Sequence, residues 1–240
     1  MLDNGNVLVI IPALNEAETI GTVVDEVLSA GYSVLVVSDG STDATAIAAR
    51  SAGARTLQLP INLGVGGALR AGFKHAMTEG FEAVIQVDAD GQHPVDEIRD
   101  LIDAANRENA HLVIGSRFRS TQSTMHVPWT RRLAMRVLSS SASRAAGTQI
   151  TDATSGFRII AQPLLEQFAA SFPSYYLGDT YEAVVSAGRA GYVVREIPAA
   201  LKPREVGESS ASTSQALRFT IKSFALVLLR IHFPIARHSR

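Results

Sequence analysis

Apolar residues fall along this chain in short, nearly unbroken runs, separated by longer stretches in which they recur every three or four positions. The runs cover residues 7–11, 33–37, 54–59, 83–87 and 112–114, and valine and isoleucine dominate them. Helical periodicity fills the intervals at 16–30, 44–52, 65–79 and 95–106. Strands that are apolar on both faces and alternate with amphipathic helices predict a parallel sheet covered on both sides. Such a sheet takes its ligands at the carboxyl ends of its strands.

Beyond residue 118 the texture changes. Residues 119–149 are rich in serine, threonine and arginine, with one tryptophan, Trp129, and no strand signal, which predicts a helix and loop excursion over the sheet. A strand over 156–160, a helix over 180–190 and a strand over 192–197 closed by Pro198 follow. Residues 207–213 read as a polar loop and 214–233 as a helix carrying Arg218, Lys222 and Arg230. The uncharged part of that helix, 223–229, is far shorter than the ~20 residues that cross a bilayer. It suits a helix lying in a membrane interface, or one packed on the core or on a second copy in a homodimer. The expected division is one α/β domain over 1–210 and a basic amphipathic helix over 211–240.

Composition narrows the chemistry. The absence of cysteine among 240 residues excludes disulfides, thiolate nucleophiles and Cys-ligated metals. The first residues carry no basic region and only a short apolar run, unlike a secretory leader, so a cytoplasmic protein is expected. Net charge is −1, yet residues 109–151 hold six arginines (Arg117, Arg119, Arg131, Arg132, Arg136, Arg144) and no acid, and residues 209–240 are likewise acid-free and basic. Two basic regions on an otherwise acidic body predict an anionic partner.

The strongest local feature is Asp88-Ala89-Asp90-Gly91-Gln92-His93-Pro94, directly after an apolar run. In extended backbone, alternate residues face one way, so Asp88, Asp90 and Gln92 would offer three oxygens to one hard cation, Mg²⁺ or Mn²⁺. The same carboxylates would also serve as helix caps before Pro94. Pro12-Ala13-Leu14-Asn15-Glu16 and Ser38-Asp39-Gly40-Ser41-Thr42-Asp43 also fall at strand ends. There they would meet a nucleotide, or serve locally, with Asn15 and Glu18 as a capping box and Asp39-Gly40 as a turn. Gly64-x-Gly66 opens a helix, but Leu69 stands where a dinucleotide fingerprint needs glycine, and the segment follows the third run rather than the first. It reads as a loop near phosphate or sugar.

Taken together with Gly115-Ser116-Arg117-Phe118, Asp152-Ala153-Thr154-Ser155-Gly156-Phe157-Arg158, Glu196-Ile197-Pro198, Pro203-Arg204 and Gly207-Glu208-Ser209, these segments resemble family 2 glycosyltransferases with a GT-A fold. Within that family they are similar to the dolichyl-phosphate mannosyltransferase branch. The resemblance covers roughly residues 6–210. It implies a mostly parallel central sheet flanked by helices, and inverting transfer of one sugar, mannose or glucose, from a nucleotide diphosphate sugar to a polyprenyl phosphate. It further implies that Pro12, Leu14, Asn15, Glu16, Val37, Asp39, Gly67, Asp88, Ala89 and Arg204 meet the nucleotide sugar. By the same match Asp88, Asp90 and Gln92 hold Mg²⁺ or Mn²⁺, and Arg117, Arg131 or Arg132, and Arg204 face the acceptor phosphate. Asp90, Asp152 and Arg117 are the expected catalytic residues, Asp152 either orienting the acceptor or holding an arginine such as Arg158. The chain departs from the pattern at Ser38, where many relatives have aspartate, and at Ser210, where many have lysine. No Gln-x-x-Arg-Trp occurs, which argues against a processive synthase.

A phosphate monoester has its second pKa near ~6, so such an acceptor is a nucleophilic dianion at neutral pH and needs no strong base. What it needs is alignment of two anions and neutralisation of the leaving diphosphate, for which arginine forks are suited. The expected enzyme is peripheral on the inner face of the membrane, binding nucleotide sugar and lipid phosphate and no nucleic acid. Two alternatives stand beside it: a sugar-1-phosphate nucleotidyltransferase and a non-catalytic nucleotide-sugar-binding scaffold.

Overall fold

The structure, a computed structural model, describes residues 1–118, 129–173, 178–200 and 234–238, with the side chains of 129–132 and 178–179 excepted. The predicted polar loop over 207–213, the helix over 214–233 and Arg204 lie outside the described residues.

Strands β1 (Val7–Ala13), β2 (Ser33–Asp39), β3 (Arg55–Leu59) and β4 (Ala83–Gln86) alternate with helices α1 (Ile20–Ser29), α2 (Thr45–Ser51) and α3 (Val65–Thr78). Then come α4 (Ile98–Glu108), β5 (Leu112–Ser116), α5 (Trp129–Ala146), β6 (Arg158–Ala161), α6 (Leu164–Ser171), α7 (Ala183–Arg189) and β7 (Val194–Pro198). They build one seven-stranded sheet in the order β3-β2-β1-β4-β6-β5-β7.

The unbroken apolar runs have a simple cause. In β1, Leu8 and Ile10 enter a core with α3, α5, α6 and α7, while Val7, Val9 and Ile11 enter the opposite core with α1 and α4. Both faces are covered, so neither parity of the strand can be polar.

Six strands run in one direction, and β6 pairs antiparallel with both β4 and β5. The sequence pattern predicts a parallel sheet and does not single out this strand. The reason lies in the connection. The chain leaves β5 at its carboxyl end, runs along the 18-residue α5 and re-enters the sheet from the same edge, so β6 must run back. That reversal brings residues 152–157, which precede β6, to the carboxyl edge of the other strands. Of the excursion over 119–149, the described part is largely one helix, α5. The short α6 is an element the apolar pattern did not reveal.

From β1 the chain winds outward through β2 to β3, then crosses back to place β4 on the other side of β1. Sheets of this kind open a crevice where the winding reverses, at the carboxyl ends of the strands. The ends of β1, β2 and β4 carry Pro12 to Glu16, Ser38 to Asp43 and Asp88 to Gln92.

Candidate active site

Strand β4 ends at Gln86, so the aspartates that follow lie beyond the strand, with Asp90 in a turn. Gly91 adopts φ +75°, and the Asp90 Oδ1 accepts the Gln92 N–H at 3.1 Å. Alternation along a strand is thus not what gathers Asp88, Asp90 and Gln92. The turn shapes this segment, because the Asp90 carboxylate folds back on its own backbone.

Asp88 is gripped from three sides. Its backbone N–H donates to His93 Nδ1 at 2.9 Å, which leaves the imidazole proton on Nε2, and Nε2 faces Asp88 Oδ2 at 3.4 Å. His93 is only 4% exposed and lies against the Phe157 ring. From the other side Gln86 Nε2 donates to Asp88 Oδ1 at 3.2 Å. The Gln86 amide cannot flip, because its Oε1 accepts from the Nη2 of the wholly buried Arg158 at 2.9 Å. Gly156 completes the cradle. A Cβ there would stand 3.2 Å from both Asp88 carboxylate oxygens, so glycine keeps space beside the carboxylate.

Arg117 lies just past β5, and Asp152 reaches it from the segment before β6. The Arg117 Nε and Nη2 donate to Asp152 Oδ2 and Oδ1 at 2.7 and 2.8 Å, a two-pronged fork, and Nη2 also donates to Thr154 Oγ1 at 3.0 Å. Those bonds use the Nε proton and both Nη2 protons. Among the described residues Nη1 has no acceptor, so its two donors remain for an anion. Burial tends to push the Arg117 pKa down, but the hydrogen bonds and charge of Asp152, with a smaller contribution from Asp88, hold it above the ordinary value. The guanidinium is a fixed positive charge. Asp152 thus holds Arg117, whereas Arg158, the partner considered from sequence, points into the core toward Gln86.

Behind Asp152 stands Glu196 on β7. Its carboxylate accepts the N–H groups of Thr151 and Asp152, each at 2.8 Å, and the Thr151 hydroxyl at 2.9 Å. Burial raises its pKa against the opposing effect of these bonds. Ser139 and Ser143 of α5 hold the same segment by donating to the carbonyls of Thr151 and Ile150.

At the other end of the crevice the residues expected around a nucleotide divide. Asp39 is buried and accepts the Leu63 N–H at 2.7 Å, drawing the loop before α3 onto the end of β2. Asn15, at φ 56°, accepts the Thr42 N–H at 2.9 Å, so it staples two strand-end loops together and does not form a capping box with Glu18. The Glu16 carboxylate accepts from the Thr19 hydroxyl. Ser38 is buried and donates to Ser41. Leu14 is exposed at the rim, whereas Val37 is entirely buried in the core and Ala89 nearly so. Gly67 sits where a Cβ would meet the Leu63 Cβ at 2.5 Å. Arg131 and Arg132 fall within α5, their side chains outside the described residues.

Among the described residues no group of three His, Asp or Glu side chains is gathered to hold a metal ion. The donor set still suits a hard divalent ion. Mg²⁺ is usually held by one or two carboxylates and completed by substrate phosphates and water, and the Asp88 carboxylate beside Gly156, with Asp90 two residues on, fits that pattern.

The mostly parallel sheet covered by helices on both faces, with its crevice at the switch point, has the GT-A fold. The fold matches that of glucosyl-3-phosphoglycerate synthase from Mycobacterium tuberculosis, crystallised with Mn²⁺, uridine diphosphate and glucosyl-3-phosphoglycerate. The TM-score is 0.66 at 20% identity, covering 98% of this chain and 87% of that one. The chain belongs to glycosyl transferase family 2, whose model matches residues 8–168. It is 31% identical to the polyprenol monophosphomannose synthase of Mycolicibacterium smegmatis over 220 residues, 86% of this chain and 81% of the relative. It is also 31% identical to the undecaprenyl-phosphate mannosyltransferase of Micrococcus luteus over 216 residues, 86% of this chain and 87% of that protein. A glycosyltransferase is the class the sequence motifs predict, and membership in this family sets aside the nucleotidyltransferase alternative.

Proposed function

We propose that this glycosyltransferase moves a single sugar, mannose or glucose, from a nucleotide diphosphate sugar to a polyprenyl phosphate, with inversion at the anomeric carbon. The observation that carries the reading is the Arg117 guanidinium, locked by Asp152 with Nη1 left over, on the same sheet edge as Asp88 and Asp90. One end of the crevice is suited to a metal-bound diphosphate, the other to a second phosphate. The two relatives named for polyprenol and undecaprenyl phosphate support that choice of acceptor.

Asp88 and Asp90, with Gln92 beside them, would hold Mg²⁺ or Mn²⁺, which supplies neutralising charge to the donor diphosphate when bound. The acceptor phosphate oxygen forms the new bond to the anomeric carbon as the bond to the diphosphate oxygen breaks, and the nucleoside diphosphate leaves with that electron pair. No side chain need take a proton from the dianionic acceptor. Arg117 contributes by offsetting the repulsion between two anions and by fixing the attacking phosphate through Nη1. Asp39, Asn15 and Ser41 keep the β1, β2 and α3 loops in register around the nucleotide. The acid-free arginine region and basic C-terminal sequence favour action at an anionic membrane surface.

The test is incubation with radiolabelled GDP-mannose or UDP-glucose, Mn²⁺, and polyprenyl phosphate in anionic vesicles. Label should become lipid-extractable, and Asp90→Asn, which keeps an oxygen for the Gln92 N–H, should abolish the product while the metal-free protein stays folded. No lipid-linked label with any nucleotide sugar of a wider panel would refute the reading.

A further inference from the structure

We propose that Glu196 is a positioning residue for the acceptor phosphate: from the edge strand β7 it fixes the Thr151-Asp152 backbone, and through Asp152 it aims Arg117. The inference rests on the acceptor reading above and extends it to a residue that touches neither substrate.

The geometry runs in one direction. Glu196 sits on β7 in register with Ile114 of β5, two residues before the end of that strand. Its side chain is 7% exposed, and its two oxygens collect the Thr151 N–H, the Asp152 N–H and the Thr151 hydroxyl. The Thr151 hydroxyl is in turn 2.8 Å from the hydroxyl of Ser116, the residue before Arg117. Asp152, 1% exposed, can turn its carboxylate only toward Arg117 and Thr154. The Arg117 backbone N–H also points at Asp152 Oδ2, at 3.3 Å. Both the main chain and the guanidinium of Arg117 are therefore referenced to Asp152, and Asp152 is referenced to Glu196.

Burying a carboxylate costs free energy that its hydrogen bonds must offset. Here those bonds require two consecutive N–H groups preceding β6 to be held in place. Tight positioning of a phosphate-binding arginine imposes that demand, because a hydrogen bond weakens steeply with misalignment. Outer partners that orient a metal ligand contribute about 10- to 100-fold to affinity or activity, and an effect of the same order is expected for one that orients a phosphate-binding arginine.

The experiment combines kinetics with exchange of the arginine side-chain proton. Glu196→Ala should lower kcat/KM for polyprenyl phosphate by roughly tenfold and leave the donor KM within about twofold of wild type. Glu196→Gln, whose carbonyl can still accept both N–H groups, should restore the value to within about threefold. In an Arg117→Ala background, Glu196→Ala should cost less than about twofold, because the group it aims is gone. Independently of turnover, the Arg117 Nε–H signal in ¹⁵N-arginine-labelled protein should exchange slowly in wild type and Glu196→Gln and rapidly in Glu196→Ala. Unchanged exchange in Glu196→Ala, or losses that add in the double variant, would overturn the assignment. If wild type forms no lipid-linked sugar at all, the acceptor reading fails, and the exchange measurement still decides whether Glu196 governs Arg117.

Discussion

Asp152 and Arg117 form a more deeply buried charge pair than the Lys/Arg–carboxylate pairs otherwise seen among the described residues. The Asp152 side chain is wholly shielded and that of Arg117 is 19% exposed, whereas the partners in Arg55–Glu79 are 63% and 42% exposed. Removing one member of a buried pair leaves the other desolvated and unmatched, at a cost of about 3–5 kcal/mol, while an exposed pair contributes about 0.2–1 kcal/mol. Urea unfolding should therefore show Asp152→Ala destabilised by about 3–5 kcal/mol and Glu79→Ala by less than about 1 kcal/mol. Similar small losses for both would mean that the fork is not formed in solution.

His111 provides a pH-dependent contribution. Burial, and then the neighbouring His238, hold its pKa below the ordinary value, and its Nδ1 accepts the Val193 N–H at 3.0 Å. Tyr192 stacks on His238 beside it. A depressed folded-state value means that the unfolded chain binds the proton more readily. The stabilisation is complete above about 6.5 and is lost as the pH falls toward the folded-state value. His111→Asn, which can still accept the Val193 N–H, should flatten the decline of the thermal midpoint between about pH 7 and pH 5. An equally steep decline in the variant would place the titrating group elsewhere. At this scale the sequence makes the types of the site residues legible, because Asp88, Asp90, Asp152 and Arg117 all stand beside apolar runs. Their partners are not legible. Asp152 lies 35 residues from Arg117, and the nearby Arg158 is excluded only because the direction of β6 turns it inward.

Among the elements, β6 decides the most. Had the connection through α5 crossed the sheet as a parallel unit does, residues 152–157 would have reached the amino edge, and Asp152 and Gly156 would lie far from Asp88. An apolar run reports a strand and its burial but not its direction, which is why the sheet was legible and its one reversed strand was not. Helix α6 escaped because eight residues give barely two turns of periodicity. The cradle at Gly156 depends on that reversal. An added Cβ would stand 3.0 Å from Gln86 Nε2 and 3.2 Å from both Asp88 oxygens, closer than side chains ordinarily pack, and its φ lies outside the glycine-favouring region. Gly156→Ala should therefore leave the backbone unstrained and act on Asp88. Mn²⁺-dependent nucleotide binding by calorimetry should weaken at least about tenfold, the change of about 1.4 kcal/mol expected when a packed neighbour must shift. Unaltered binding would show that the space beside Asp88 is not used.

Over the whole molecule, the carboxyl edge of the sheet concentrates what the folded core does not require. Carboxylates follow β1 and β4 and close β2, an arginine follows β5, and the segment before the reversed β6 supplies the anion that holds it. Asp39, Asn15 and Arg117 are each held by a partner from another segment, which orders that part of the edge before any ligand arrives. A rigid site loses little of its binding energy to ordering, and a nucleotide bound only by the folded state raises stability by mass action. At a ligand concentration of 100 times Kd that gain is about 2.7 kcal/mol, which for a chain of this size moves the midpoint by roughly 5–10 °C. With Mn²⁺ present, one of GDP, UDP and dTDP should produce such a shift and the other two markedly less, because the loops stapled by Asn15 and Asp39 admit one base best. Withdrawing the metal, or replacing Asp90 by asparagine, which keeps an oxygen for the Gln92 N–H, should remove most of the gain. Equal shifts with and without Mn²⁺ would separate nucleotide binding from the aspartates after β4, and with it the division of the crevice into a diphosphate end and an acceptor end.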